Sequence, residues 1–138
     1  TSNSKLFMNV REKLSLCYYA SSSYARSKNI ITVSSGVETG DRDRALEEID
    51  RQLKAVQRGD WEDWEQEGAL QAIRSSLLSL SDSQGALENF YLGQIASGVH
   101  ETPEELAVEL ECVTKERIVA AAQTVHLDTV YFLGGREA

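Results

Sequence analysis

The sequence is 138 residues long and 41% apolar, which predicts a single domain over residues 1–138 with a core of its own. Its net charge of −8 argues against polyanionic partners, because a protein that neutralises phosphates needs clustered lysine and arginine. Here the basic residues alternate with acids, as at 41–44. We therefore expect neither nucleic acid nor membrane among its partners.

The sequence has no secretory signal pattern and no apolar run of the roughly 18 residues that a membrane span needs. Its two cysteines, Cys17 and Cys112, belong to no CxxC pair and stand among apolar neighbours. Such cysteines are typical of reduced thiols, so these features together predict a cytoplasmic protein. Because the sequence begins at Thr1, we expect it to be a piece of a longer chain.

The first predicted element is a helix over residues 4–14. Leu6, Phe7, Val10 and Leu14 recur there at the spacing of one helical face.

A β-hairpin is predicted next. Residues 16–25 are aromatic and small, and residues 30–38 are β-branched, which are both compositions typical of strands. The short polar break at 26–29 predicts a turn, so we expect the two strands to pair antiparallel.

After the hairpin the apolar pattern becomes helical. The first of these helices is predicted over 41–58 and ends at Gly59. Asp60 is predicted to cap the next helix, which runs to about Leu80. Gly68 lies inside that helix, where glycine costs roughly 1 kcal/mol relative to alanine.

Capping patterns mark the remaining helices. One helix is predicted to begin after Ser83 and to end at Gly98. The run Thr-Pro-Glu-Glu at 102–105 is a strong helix start, because the threonine caps, the proline fits the first helical position and the second glutamate completes a capping box. Thr114 is predicted to cap the last helix.

Strands and helices are largely segregated along the chain, which predicts an α+β fold. Residues 128–133 are again β-rich and predict a terminal strand. We therefore expect an antiparallel sheet of residues 16–25, 30–38 and 128–133, with helices covering one face.

The sequence lacks the residues of a catalytic site. A catalytic zinc ion takes three protein ligands, usually with two histidines on one helical face. The only histidines, His100 and His126, are far apart, and an HExxH-like start at His100 places Glu104 where the second ligand would stand. The serine run at 21–23 falls in a predicted strand, without the turn of a GxSxG elbow. We predict no catalytic residue, no metal ligand and no cofactor in this chain.

A family resemblance rests mainly on the first twenty residues. Residues 4–13 read SKLFMNVREK, and residues 16–20 read LCYYA. This resembles the S-x-L-F-x-x-[LV]-R-E-K-x-x-L-A-Y stretch in the C-terminal half of insulinase/pitrilysin-like zinc metallopeptidases, which include mitochondrial processing peptidase. The second strand with VSSGVE at 33–38 and the order of the helices agree, so the resemblance covers essentially the whole chain. The chain is most similar to a bacterial subgroup, the YmfF-type non-catalytic partner subunits.

The resemblance implies a fold and two site residues. It implies a metallopeptidase-homology half-domain, of the kind found in LuxS and the processing peptidases, with two halves facing each other like a clamshell. The zinc motif HxxEH would lie in the N-terminal half of the parent protein or in a zinc-bearing homologous subunit. The C-terminal half contributes an arginine and a tyrosine that hold the peptide substrate, and these fall on Arg11 and Tyr18.

Other interpretations remain open for these residues and for the chain. In most proteins Arg11 would be a surface charge on a helix, and Tyr18 a half-buried packing residue of a strand. The chain as a whole could be a structural or assembly domain of a peptidase-like complex without proteolytic activity, or an unrelated α+β ligand-binding domain. Under every interpretation the chain alone is expected to be inactive as a peptidase.

Overall fold

The computed structural model of the chain describes residues 8–10 and 17–134. Among these residues two β-strands are followed by α-helices, which confirms the predicted α+β class. The elements are β1 (Cys17–Ala25), β2 (Ile30–Val37), α1 (Arg42–Gln57), α2 (Asp63–Leu78), α3 (Gln84–Ser97), α4 (Pro103–Glu109) and α5 (Lys115–Gln123). Residues 8–10 of the predicted first helix form a helical turn, and the rest of that helix lies outside the described residues.

β1 and β2 form the predicted antiparallel hairpin. The polar break between them is a short 3₁₀ turn at Arg26–Lys28, followed by Asn29 with a φ of 52°. Asparagine adopts this left-handed conformation more readily than most residues. Tyr24 donates a hydrogen bond from Oη to Asn29 Oδ1 at 2.9 Å, which holds the asparagine side chain at the turn.

Near its turn the hairpin leaves apolar side chains of β2 exposed to solvent. Ile30, Ile31 and Val33 on β2 are all exposed. The strand ends are better covered, because Cys17 and Val37 pack against a small buried cluster. The helices of the described residues therefore meet the hairpin beside Cys17 and Val37 and leave these three side chains of β2 exposed.

The predicted terminal strand at 128–133 is wrong, because these residues have no regular secondary structure and the sheet of the described chain has two strands. Residues of this composition favour strands because their side chains pack well on a pleated, half-buried sheet. Without a neighbouring strand they do not fix the backbone in an extended conformation. Phe132 is instead half-buried beneath Arg42, whose guanidinium carbon lies 5.4 Å from the ring centroid. Phe132 is therefore in a cation–π contact and does not belong to a strand.

Most helix ends follow the predicted capping chemistry. Thr102 Oγ1 accepts from the backbone N–H of Glu105 at 3.1 Å, and Glu105 Oε2 accepts from the N–H of Thr102 at 2.8 Å. This reciprocal pair confirms the predicted capping box at the start of α4. Thr114 Oγ1 accepts from the N–H of Arg117 at 3.4 Å, and Gly98, with a φ of 67°, ends α3.

The start of α2 was predicted wrongly, because Glu62 and not Asp60 is its cap. Glu62 forms a capping box with Glu65, whose Oε2 accepts from the N–H of Glu62 at 2.9 Å. Asp60 belongs to the end of α1, since its N–H donates to the carbonyl of Ala55 at 2.9 Å in a Schellman turn. Because α2 begins at Asp63, Asp60 lies two residues before the cap position. α2 also ends before Leu80, in a 3₁₀ turn.

The described residues group into two compact units. The first contains Ser22–Val33 and Glu62–Val113. The second contains Ser34–Trp61, residues 114–134 and the described residues before Ser22. The single domain expected over 1–138 stays a prediction. In the described part of the chain, no helix is long and apolar enough to cross a membrane.

In the first unit α2 packs against α4, and α3 lies against the hairpin turn. Arg74 Nη1 pairs with Glu111 Oε1 at 2.7 Å, and Gln66 Nε2 donates to the carbonyl of Val113 at 3.3 Å. Many large apolar side chains of this unit are exposed. They include Ile73, Leu78, Tyr91, Leu92, Ile95 and Val108.

In the second unit α1 packs against α5 through two glutamines. Gln57 Nε2 donates to the carbonyls of Ala122 and Val125, each at 3.1 Å. Gln123 Nε2 donates in return to the carbonyl of Gln57 at 3.2 Å. These bonds reach carbonyl groups at and just after the ends of the two helices, where the regular hydrogen bonds of an α-helix stop.

The two tryptophans lie in different surroundings. Trp61 is half-buried, and Lys115 Nζ lies 4.7 Å from its ring centroid and donates to its carbonyl at 3.1 Å. Trp64 is 55% exposed on the first turn of α2.

Two glycine substitutions test the helix boundaries. Gly59 has a φ of 73°, and a methyl group there would meet Lys115 Cε at 3.2 Å and Val119 Cγ2 at 3.3 Å. We expect Gly59→Ala to lower the free energy of unfolding by about 1–2 kcal/mol, because the left-handed conformation strains any L residue. Gly68 lies inside α2 with open space around it, so Gly68→Ala should raise that free energy by up to about 1 kcal/mol.

Urea titration followed by far-UV circular dichroism would measure both changes. Because the two variants add the same methyl group, each is the control for the other. Equal effects in the same direction would contradict the assignment of Gly59 to the end of a helix and Gly68 to a helix interior.

Candidate functional site

Tyr18 stands on the second residue of β1 with its side chain 70% exposed. Its hydroxyl donates a short hydrogen bond to Oε1 of Glu38, the residue that follows β2. A carboxylate has no hydrogen to give, so the tyrosine must be the donor. The phenol is thus held in one direction and still faces solvent.

Tyr19, the alternative tyrosine, makes a different contact. Its ring lies over Gly36 on β2, so closely that a β-carbon at Gly36 would be 2.5 Å from Tyr19 Cε1. The carbonyl of Tyr19 also accepts from Ser35 Oγ at 3.0 Å. Successive side chains of a strand point to opposite faces, so Tyr19 covers the hairpin backbone while Tyr18 reaches Glu38.

Glu38 also changes the acidity of Tyr18. The hydrogen bond to the Glu38 carboxylate, and then its negative charge, raise the pKa of the Tyr18 hydroxyl above the ordinary value of tyrosine. Tyr18 is therefore a neutral hydroxyl throughout the physiological pH range. It can take part in hydrogen bonding there and cannot serve as a phenolate nucleophile.

Arg11, the other predicted site residue, lies outside the described residues, and its place beside Tyr18 stays a prediction. The two residues before it are described. Val10 is fully buried against Ala45 of α1, and Cys17, Val37 and Ile49 pack around this pair.

A polar group on α1 lies beside this cluster. Glu48 is only 5% exposed, and its Oε1 accepts from Gln52 Nε2 at 2.6 Å while its Oε2 accepts from Arg51. Gln52 Oε1 in turn accepts from Asn9 Nδ2 at 2.8 Å. Sequence reasoning missed this group, because Glu48 stands in a charged run that is typical of a solvated helix face. The sequence did indicate that Glu48 lies on the buried face, because it follows Ala45 by three residues and residues three and four apart share a helical face.

The described residues do not fit a zinc site. His100 is exposed in the loop between α3 and α4, and His126 is exposed after α5. Within residues 8–10 and 17–134, no three side chains of histidine, cysteine, aspartate or glutamate are grouped so that they could hold a metal ion. Neither Cys17, which is half-buried, nor Cys112, which is exposed, belongs to a disulfide in the described residues.

The described part of the candidate site is thus an exposed tyrosine whose hydroxyl is anchored by a carboxylate. The chain belongs to the peptidase M16 family, since the profile of the peptidase M16 inactive domain matches residues 1–73. This match covers both Arg11 and Tyr18, and it confirms the resemblance to a non-catalytic part of a metallopeptidase homologue.

Two similar proteins support the same assignment. The chain is 38% identical over 136 residues to a protein of Bacillus subtilis (strain 168) described as "Probable inactive metalloprotease YmfF", covering 99% of this chain and 32% of that protein. It is also 33% identical to a conserved protein from Enterococcus faecalis V583 of known crystal structure, with a TM-score of 0.79 over 89% of this chain and 29% of that chain. The chain therefore spans about a third of the length of these relatives and is a non-catalytic, peptidase-like domain.

The pairing of Tyr18 with Glu38 predicts a titration change. Because the carboxylate raises the pKa of Tyr18, Glu38→Gln should lower that pKa towards the ordinary value of tyrosine. The pKa can be measured from the pH dependence of the tyrosine ¹³Cζ NMR signals, with Tyr18→Phe identifying the signal. Glu47→Gln, which removes the same charge from the exposed side of α1, is the control. An unchanged Tyr18 titration in Glu38→Gln would show that the two side chains do not interact in solution.

The chain is expected to bind no stoichiometric zinc, because two separated histidines and two cysteines outside any CxxC pair do not supply a tetrahedral ligand set. Elemental analysis of the purified chain after dialysis against a metal-free buffer is the measurement. One zinc ion per chain that survives this dialysis would contradict the expectation.

Proposed function

We propose that this chain is a substrate-positioning domain, which holds a peptide opposite a zinc site carried by another domain or by a partner subunit. The observation that carries the proposal is the state of Tyr18, which is exposed and yet anchored by Glu38. A polar side chain that is fixed before a ligand arrives loses less conformational entropy on binding than a free one.

The hydrogen-bonding capacity of Tyr18 suits a peptide group. A phenolic hydroxyl has one hydrogen to donate and lone pairs that accept. With its hydrogen given to Glu38, Tyr18 presents lone pairs that can accept from a peptide N–H. Arg11 would complement it, since a guanidinium donates to a peptide carbonyl or to a developing oxyanion and has no acceptor. Together the two side chains would hold both polar halves of a peptide group.

The strand that carries Tyr18 also supports peptide binding. Within the described residues β1 pairs with β2 alone, so one edge of β1 has backbone N–H and C=O groups without a strand partner. An extended peptide can add to such an edge through main-chain hydrogen bonds, with side chains of the strand setting its register. Tyr18 would then lie beside the bound strand.

The zinc ion and the attacking water would come from elsewhere. A metallopeptidase needs a metal ion to activate water and to polarise the scissile carbonyl. The described residues of this chain offer no group that could hold one. We therefore expect an HxxEH motif in the N-terminal half of the parent protein or in a homologous zinc-bearing subunit of the same cytoplasmic assembly.

A purely structural role is the second candidate, and the exposed apolar surface favours it. Leu92 and Ile95 on α3 are exposed, and so is Tyr131 after α5. Apolar surface of this kind is usually covered by a partner in a stable assembly. On this alternative Tyr18 and Arg11 would be inherited residues without a present role.

Three substitutions decide between the candidates. In the full-length parent protein combined with its zinc-bearing subunit, Arg11→Ala and Tyr18→Phe should lower the cleavage of a quenched fluorescent peptide mixture. If Arg11 contacts the oxyanion, its loss would lower kcat by about 100-fold or more, whereas the loss of a hydroxyl that only holds the peptide, as proposed for Tyr18, would mainly raise KM. Tyr19→Phe is the matched control, because that ring packs on Gly36 and should leave turnover unchanged.

The outcomes separate the two candidates. An equal loss from Tyr19→Phe would mean that the wrong tyrosine has been assigned. Unchanged turnover in all three variants would leave the structural role as the better account.

A further inference from the structure

The helix α3 of the first unit is apolar on two opposite sides. Its inner side carries the half-buried Phe90, whereas Tyr91, Leu92 and Ile95 are 41%, 57% and 67% exposed. Ile95 follows Leu92 by three residues and Tyr91 by four, so these three side chains share one face, the outer stripe of α3. Glu88 is the only charged residue of the helix. A helix that is apolar all round is usually buried on every side, and the described residues cover α3 on one side only.

We propose that a further segment of the parent polypeptide packs as an amphipathic helix on the outer stripe of α3. Its apolar side chains lie against Tyr91, Leu92 and Ile95, and it carries a basic residue opposite Glu88. Such cover goes beyond the proposed peptide contacts and is compatible with either candidate role of the domain.

The surface of α3 favours a helix as the covering segment. The backbone N–H and C=O groups of a helix are used within it, so α3 offers no hydrogen bonds to the backbone of a segment that lies on its outer stripe. A covered segment must still satisfy its own backbone groups, and a helix does so internally.

The position of Glu88 favours a cation in that segment. Glu88 is exposed and lies one turn before Tyr91 and Leu92 on the same face of α3. Covering the stripe moves its carboxylate into a less polar environment, where an unpaired charge is costly. A basic residue opposite Glu88 is therefore the complementary group.

The size of the stripe favours a segment of the same polypeptide over a second copy of this chain. A stable interface between separate proteins involves about 20–30 residues on each side, and the outer stripe has three large side chains. A tethered segment needs less contact area, because its tether gives it a high effective concentration. The chain covers 32% and 29% of the two relatives described above, so proteins of that size have ample further chain to supply the segment. In a symmetric dimer the stripe would meet its own copy, which contains no cation.

The test measures how fast a cysteine on the outer stripe reacts with N-ethylmaleimide in the full-length parent protein. Leu92→Cys and Ile95→Cys place thiols on the stripe, and Ser75→Cys places one on an exposed polar position of α2 in the same unit as the matched control. Mass spectrometry of proteolytic fragments gives the rate at each position, and far-UV circular dichroism checks that each variant is folded. We expect both stripe cysteines to react at least about 10-fold more slowly than Ser75→Cys, because a covered thiol reacts only when the covering segment opens.

Stripe cysteines that react as fast as Ser75→Cys would overturn the inference. Protection that is lost on dilution would identify a second copy as the cover, and protection that requires an added zinc-bearing subunit would identify a separate partner. Either result would overturn the proposed occupant.

Glu88→Lys tests the charge of the covering segment. It sets a lysine against the proposed basic residue, so it should speed the reaction of Ile95→Cys by about 2- to 10-fold. Glu67→Lys makes the same charge change at an exposed position of α2 and should leave that rate unchanged. Equal effects of the two lysines would contradict a basic residue opposite Glu88. Because peptide cleavage is not measured, a failure of the proposed peptide contacts would leave all of these rates as expected.

Discussion

In the unit that contains Tyr18, the other elements pack against the surface of one helix, α1. The apolar stripe of α1 around Ala45 buries Val10 and receives the ends of both strands, and its C-terminal end holds α5 through Gln57. The buried cluster is small, so apolar burial alone would leave considerable freedom of rotation. Two sets of hydrogen bonds add direction to these contacts. Asn9 donates to Gln52 of α1, and Gln57 of α1 donates to the carbonyls of Ala122 and Val125.

The parts of the fold that could be predicted from the sequence are those fixed by neighbouring residues. The capping box at Thr102, the cap at Thr114 and the left-handed glycine at Gly98 each depend on contacts within a few residues, which the sequence displays directly. The hairpin belongs to the same class, because its turn is closed by Tyr24 and Asn29. The cap of α2 was missed because Asp60 has cap chemistry, whereas the helix begins behind Glu62, two residues later.

The parts that could not be predicted depend on residues far apart in the chain. Whether residues 128–133 form a strand depends on the presence of a neighbouring strand, which no local pattern records. The same holds for the site. Tyr18 could be proposed from a family resemblance, but its bond to Glu38 joins residues twenty positions apart. Glu48 is buried although it stands in a charged run, and its link through Gln52 to Asn9 joins residues far apart in the chain.

The different surroundings of the two tryptophans have an optical consequence. Trp61 belongs to the unit that contains α1 and α5, where a lysine ammonium lies over its ring, whereas Trp64 is exposed on α2 in the other unit. A nearby positive charge and partial burial shift indole emission relative to that of an indole in water. Each unit therefore carries its own intrinsic fluorophore, and replacing one tryptophan with phenylalanine leaves an emission signal that reports on a single unit as the chain melts or meets a partner.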